Sequence, residues 1–173
     1  LAKTAFRCNQ YLIVDHDVAI LVDPGGRSSF EQVKAWVARV IDPARVTGMV
    51  CCHEDPDVAA SMVDWLTVNP DMLVFTTPRT QVLLPHYGRS GYNYYNVEEK
   101  PRFSLPSGGT LQFIPSPFLH FPGAFTTYDS LTGFLFSGDV WASLSLDWTL
   151  FVQDFAAHAS CMNLFHWDYM ASH

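Results

Sequence analysis

The stretch that most constrains this chain is Cys51-Cys52-His53-Glu54-Asp55-Pro56-Asp57-Val58. An apolar run from Val46 to Cys52 reads as a buried strand, and a helical pattern begins just after it. Between the two, three potential metal ligands fall at alternate positions: His53, Asp55 and Asp57. A strand-to-helix turn can aim such side chains into one pocket, and an imidazole with two carboxylates suits a first-row divalent metal. The same residues carry a plainer reading. Asp55-Pro56 is a good helix start, with Asp as N-cap and Pro at the first helical position.

Around this junction the chain alternates strands and helices, with no low-complexity segment or linker to split it. Tyr11–Val14 and Val18–Val22 flank the turn Asp15-His16-Asp17 and predict a hairpin with His16 exposed at its tip. Asp23-Pro24-Gly25-Gly26 is a turn. Phe30, Val33, Trp36, Val37 and Val40 recur at helical spacing, and Val58, Met62, Trp65 and Leu66 predict a second amphipathic helix ending at Asn69-Pro70. Met72–Thr76 reads as a strand and Pro78–Leu84 as a short helix. The polar-aromatic segment Tyr87–Pro101 reads as a loop packed by its own rings. Strands are predicted over Thr110–Pro115, Phe125–Tyr128 and Gly133–Phe136, the last leading into Ser137-Gly138-Asp139. From Trp148, the positions Phe151, Val152, Phe155, Met162, Phe165 and Tyr169 predict one long helix or two successive ones.

With 173 residues, 49% of them hydrophobic, the chain has enough apolar material for a single domain, 1–173, with a real core. A formal charge of −7 gives no electrostatic footprint for nucleic acid or an anionic membrane. No apolar run approaches a membrane span and no signal-peptide pattern opens the chain. The chain begins at Leu1 without an initiator Met, as an excised piece would. Cys8, Cys51, Cys52 and Cys161 form no C-x-x-C pair, and vicinal strand residues face opposite ways, so all four read as reduced thiols in a cytoplasmic protein.

His53, Asp55, Asp57, His120 and Asp139 all lie at predicted strand ends or in the loops just beyond, and such ends gather on one edge of a layered α/β domain. In that order the residues form H-x-[E/D]-x-D, then His, then Asp, with 62 residues between Asp57 and His120 and 18 between His120 and Asp139. The set resembles the metallo-β-lactamase superfamily, in its flavodiiron branch. Asn9-Gln10-Tyr11-Leu12-Ile13-Val14, Leu21-Val22-Asp23-Pro24-Gly25, Thr127-Tyr128-Asp129, Leu135-Phe136-Ser137-Gly138-Asp139 and Phe165-His166-Trp167-Asp168-Tyr169-Met170 extend the resemblance over nearly the whole chain. It implies an αββα four-layer sandwich of metallo-β-lactamase type. It also implies two iron ions: His53, Asp55 and His120 on one, Asp139 bridging, and Asp57 on the other. Asp23 takes a supporting, hydrogen-bonding role beside the site.

There are three departures from the family pattern. Asp55 stands where Glu is usual. Val58, where His is frequent, cannot ligate. The family's last ligand, a His well beyond the bridging Asp, has no counterpart before His173, so a C-terminal helix and strand are expected to be missing. The first two departures resemble the oxygen-binding diiron proteins. Hard oxygen ligands favour Fe or Mn over Zn. Phe118, Phe121, Phe125 and Trp141 are candidates to line the site and keep bulk water out. His86, His158 and His166 are left outside the ligand set. No flavodoxin-like segment, Gly-rich nucleotide loop or rubredoxin-like Cys pattern is present, so the resemblance implies dioxygen as ligand, no FMN in this chain, and an external reductant or signalling partner. A homodimer is also expected. The rival reading is a binuclear zinc hydrolase of the same superfamily, in which the metals generate hydroxide. A metal-free interaction module is the third.

Overall fold

The computed structural model describes residues 8–143 and 151–170. Trp148 and His173 lie outside the described residues. Two sheets carry the fold. The first contains β1 (Tyr11–Asp15), β2 (Val18–Val22), β3 (Gly48–Val50), β4 (Leu73–Thr76) and β5 (Asn93–Asn96), side by side in that order. β1 and β2 form the expected antiparallel hairpin with Tyr11 opposite Val22, and His16 sits exposed at its tip. From β2 to β5 every pairing is parallel. The second sheet is an antiparallel meander of β6 (Arg102–Ser104), β7 (Thr110–Pro115), β8 (Phe125–Asp129) and β9 (Leu135–Phe136).

The central strands are apolar on both faces, as covered parallel strands must be. Ala19–Val22 and Gly48–Val50 are entirely buried. Between the sheets, the ring of Phe75 on β4 meets Tyr95 at 4.8 Å, Phe103 at 5.0 Å and Phe113 at 5.5 Å. Outside the first sheet lie α1 (Phe30–Val37) and α3 (Met62–Val68), joined by an edge-on contact of Phe30 with Trp65. Two short helices, α2 (Pro56–Ala59) and α4 (Pro78–Gln81), sit at strand exits, and α5 (Phe155–Phe165) closes the described chain with a π-helical turn at His166–Met170.

Several predicted elements are shorter or broken. The amphipathic face of α1 keeps Phe30, Val33 and Val37; Trp36 is exposed on the helix itself, and Val40 is exposed in the turns that follow Val37. The predicted helix through Val58 and Leu66 is two, because the Ser61 amide donates to the Gly25 carbonyl and its hydroxyl to the Pro24 carbonyl. That tie fastens the segment following the His53 turn to the segment following β2. The Tyr87–Pro101 loop contains an unpredicted strand, β5, and β6 was likewise not predicted. Both are edge strands, where one ladder of backbone bonds suffices without an apolar run. In the C-terminal segment Phe151 and Val152 precede the helix, which starts at Asp154 through a side-chain cap on the Ala157 amide.

Phe75 is 1% exposed at the junction of both sheets. Phe75→Ala should cost about 3–5 kcal/mol of folding stability, whereas Trp36→Ala, at a half-exposed site, should stay within about 0.5 kcal/mol. Urea unfolding of the metal-free variants measures both; equal losses would refute this assignment of the core.

Candidate metal centre

The chain leaves β3 through Cys51 and Cys52, both buried, and turns at His53 into α2. Asp55 occupies the N-cap backbone position and Pro56 the first helical one, as the local signal predicted. Yet the Asp55 side chain makes no cap bond. Its Oδ2 lies 2.9 Å from Nε2 of His120 instead. The cap and the site therefore use different parts of one residue: backbone starts the helix, carboxylate faces the second sheet.

His120 comes from the loop between β7 and β8, and Asp139 from the turn after β9. Asp139 Oδ2 stands 3.5 Å from Nε2 of His53 and 3.4 Å from Nε2 of His120, and the His53 nitrogen is 3.8 Å from Asp55 Oδ2. One ligand atom from each of His53, Asp55, His120 and Asp139 falls within 4.8 Å of all the others. Asp57 is not a member of that group. Its carboxyl, raised above the usual range by burial and then by Asp139 and Asp55, lies against the Cys8 thiol. Of the residues predicted to share the site, four are thus brought together and the fifth stands beside them.

Burial opposes charge on His53, but the surrounding Asp139, Asp23 and Asp55 carboxylates outweigh it and carry its pKa up to about 9. His120 is also raised, first by its bond to Asp55, and Asp55 is lowered by the same bond. His53 is 1% exposed, and its Nε2 has no hydrogen-bond partner. A buried imidazole nitrogen with no hydrogen bond, turned toward a second imidazole and two carboxylates, is what a bound cation would satisfy. The donor set of two nitrogens and two oxygens fits a first-row divalent ion.

The supporting residues are also placed. Asp23, with φ of 54° and 5% exposed, accepts the Cys52 amide at 3.2 Å, and its own amide donates to Val50. Val58 belongs to the apolar core and is 1% exposed. Of the rings expected to line the site, Phe125 is buried, Phe121 half-buried, and Phe118 and Trp141 are more than half exposed. Three contributors escaped sequence reasoning. Tyr169 packs on the His120 ring with centroids 5.3 Å apart, the Tyr87 hydroxyl donates to the Glu54 carbonyl, and the Cys52 sulfur touches His53. Only Tyr169 had a signal, in the Phe165–Met170 segment, where His166 drew attention and is exposed.

Two facing sheets with helices outside, and donors collected from strand ends, define a metallo-β-lactamase-type core of the flavodiiron branch. Within that class the chain belongs to the ODP family: residues 6–173 match the family described as ODP family beta lactamase. Solved structures of the chemotaxis sensor ODP, as a peroxy diiron species and, from T. denticola, in an apo state, are 36% identical to it. They superpose with TM-scores of 0.80 and 0.79 over 94% of this chain and 68% and 67% of theirs. The chain is also 31% identical over 132 residues to diflavin flavoprotein A 1 of Synechocystis, and 33% identical over 121 residues to a nitric oxide reductase of Moorella thermoacetica. These alignments take in 76% and 69% of this chain but only 23% and 30% of those longer proteins.

Burial, partly offset by the hydrogen bonds from Cys52, raises Asp23 from 3.8 to about 6. A raised folded-state pKa contributes stability that is full below the unfolded value and is lost as pH rises through the folded one. The metal-free protein should therefore lose stability between about pH 4 and pH 6 as Asp23 ionises. Asp23→Asn keeps an acceptor for the Cys52 amide and should remove that part of the loss. Denaturation midpoints of both proteins at pH 4.5 and 7.5 give the double difference; a value of zero would contradict ionisation of a buried Asp23.

Proposed function

We propose that this chain is a non-haem diiron protein that binds dioxygen, in sensing or in slow reduction supported by an outside reductant. The observation carrying the reading is the buried Nε2 of His53, which makes no hydrogen bond and is gathered with His120, Asp55 and Asp139. Likeness to a chemotaxis sensor solved as a peroxy diiron species supports dioxygen as the ligand. His53, Asp55 and His120 would hold one iron, Asp139 would bridge, and Asp57, set apart from the four, would serve the other. Bound there in the reduced state, such a pair would supply two electrons together to a diatomic molecule.

The protein's own part is positioning. Asp55 and Asp139 neutralise cationic charge in a half-buried place, and Asp23 fixes the strand end from which His53 projects. Val58 offers no nitrogen, so the residue after Asp57 would add no ligand to a second metal. That shortage suits binding of a small molecule. Tyr169 covers one side of His120 and limits how that imidazole can turn.

Loss of a residue that merely orients a ligand typically costs about 10–100-fold in metal affinity. Asp139→Ala, which removes a ligand shared by both positions, should cost at least that at each of them. Asp57→Ala should deplete one equivalent of iron and spare the other. Iron analysis after anaerobic reconstitution separates the cases. Two retained irons in the Asp139 variant would refute the bridge, and two zinc ions with esterase activity in the wild type would favour hydrolysis.

Val58→His should act on oxygen chemistry rather than on packing alone. A polar ring in this apolar place costs about 1–3 kcal/mol of stability. If the imidazole reaches the second position, oxygen affinity of the reduced protein should also fall, by roughly tenfold for each 1.4 kcal/mol of competing ligation. Stopped-flow mixing with oxygen, beside iron stoichiometry, measures this. Unchanged oxygen kinetics at full iron loading would show that Val58 does not tune the site.

A further inference from the structure

We propose that Cys52 is a positioning residue for His53: its sulfur accepts the imidazole Nδ1 proton and so fixes the tautomer whose Nε2 lone pair faces the metal position. This rests on the reading of His53 as a metal ligand. Cys52 Sγ lies 3.1 Å from His53 Nδ1, and the residues are 3% and 1% exposed, so water does not compete for that contact. An imidazole that ligates a metal is neutral and carries one proton. Placed on Nε2, it would block ligation; placed on Nδ1, it meets the sulfur and leaves Nε2 open.

The residue is also held through its backbone: the Asp23 carboxylate accepts the Cys52 amide at 3.2 Å. With Nε2 given to a metal, Nδ1 keeps the ring's proton and the sulfur 3.1 Å away is its acceptor. Metal-bound histidines usually give their second N–H to a carboxylate, carbonyl or water; here a thiol takes that place.

The sulfur is also fixed in place from the other loops of the site. The Cys52 carbonyl accepts the amide of Phe125, at the start of β8 and just beyond the His120 loop. Gly138, immediately before Asp139, passes so near that a Cβ there would stand 2.8 Å from Cys52 Sγ. Its φ of +56° favours glycine for the same position. Cys52 is therefore bonded to the segment that follows His120 and closely approached by the one that leads into Asp139.

The test uses the full chain and Zn(II) as a diamagnetic probe. Chelator competition gives Zn(II) affinities for wild type, Cys52→Ser and Cys52→Ala, with melting of the metal-free proteins as a control on packing. Serine and alanine are close in size, but only serine keeps an acceptor. Cys52→Ala should weaken Zn(II) binding by about 10–100-fold, with Cys52→Ser recovering most of it. Imidazole NMR of the Zn(II)-loaded wild type should show an exchange-protected proton on His53 Nδ1. That arm needs no variant and decides the matter if Cys52→Ala does not fold. Equal affinities for the serine and alanine variants, or a proton on Nε2, overturns the role of Cys52. Failure of the wild type to take up either Zn(II) or iron would instead overturn the metal reading on which it rests.

Discussion

The constraint on which the rest depends is electrostatic. Two imidazoles and two carboxylates approach one another at 2.9 to 3.8 Å, with His53 almost wholly removed from water. Charged groups that close need either protons or a metal to balance them, and they need a scaffold that does not relax them apart. The scaffold is backbone. The β3 exit is pinned on one side by the Asp23 carboxylate and on the other by the Phe125 amide, while Ser61 ties the far end of the same turn to the residues after β2. Each tie uses an obligatory backbone donor or acceptor, so loosening the site would leave a buried polar group unpaired.

The aromatic layer between the sheets serves the same end. Phe75 sits on the strand next to β3, and its ring reaches Phe103 and Phe113 of the second sheet. Phe113 in turn meets Phe125, whose amide holds Cys52. Rigid packing across the interior thus fixes the distance between the sheet that brings His53 and Asp55 and the sheet that brings His120 and Asp139. Neither sheet alone carries a complete set of donors.

Sequence disclosed the parts governed by period and spacing. The hairpin, the central strands, and the meander strands from Thr110 and Phe125 were legible because alternation or unbroken apolar runs are local signals. His53 and Asp55 drew on their alternate positions at a strand exit, whereas His120 and Asp139 were legible only through the family pattern that the order and spacing resemble; the structure brings the four together. Strands β5 and β6 were not, since an edge strand satisfied on one side needs no apolar run. The break at Ser61 was hidden for another reason: it depends on Gly25 and Pro24, far away in sequence. Tyr87 and Cys52 escaped because a backbone anchor and a sulfur contact leave no pattern in residue order.

Asp55 shows how local and distant demands can coexist. A helix beginning at Pro56 asks only that the preceding residue have extended backbone, and Asp55 meets that with φ of −57° and ψ of 145°. The capping bond that an Asp would ordinarily add is given up, at a cost of about 1 kcal/mol. What replaces it is a charge-assisted contact with His120, from the other sheet. A residue serving only the helix would retain its cap, and one serving only the site would not need to precede Pro56. The carboxylate's departure from the helix end is therefore the point at which local folding yields to the chemistry of the cluster, and on the proposed reading it is the metal that repays the loss.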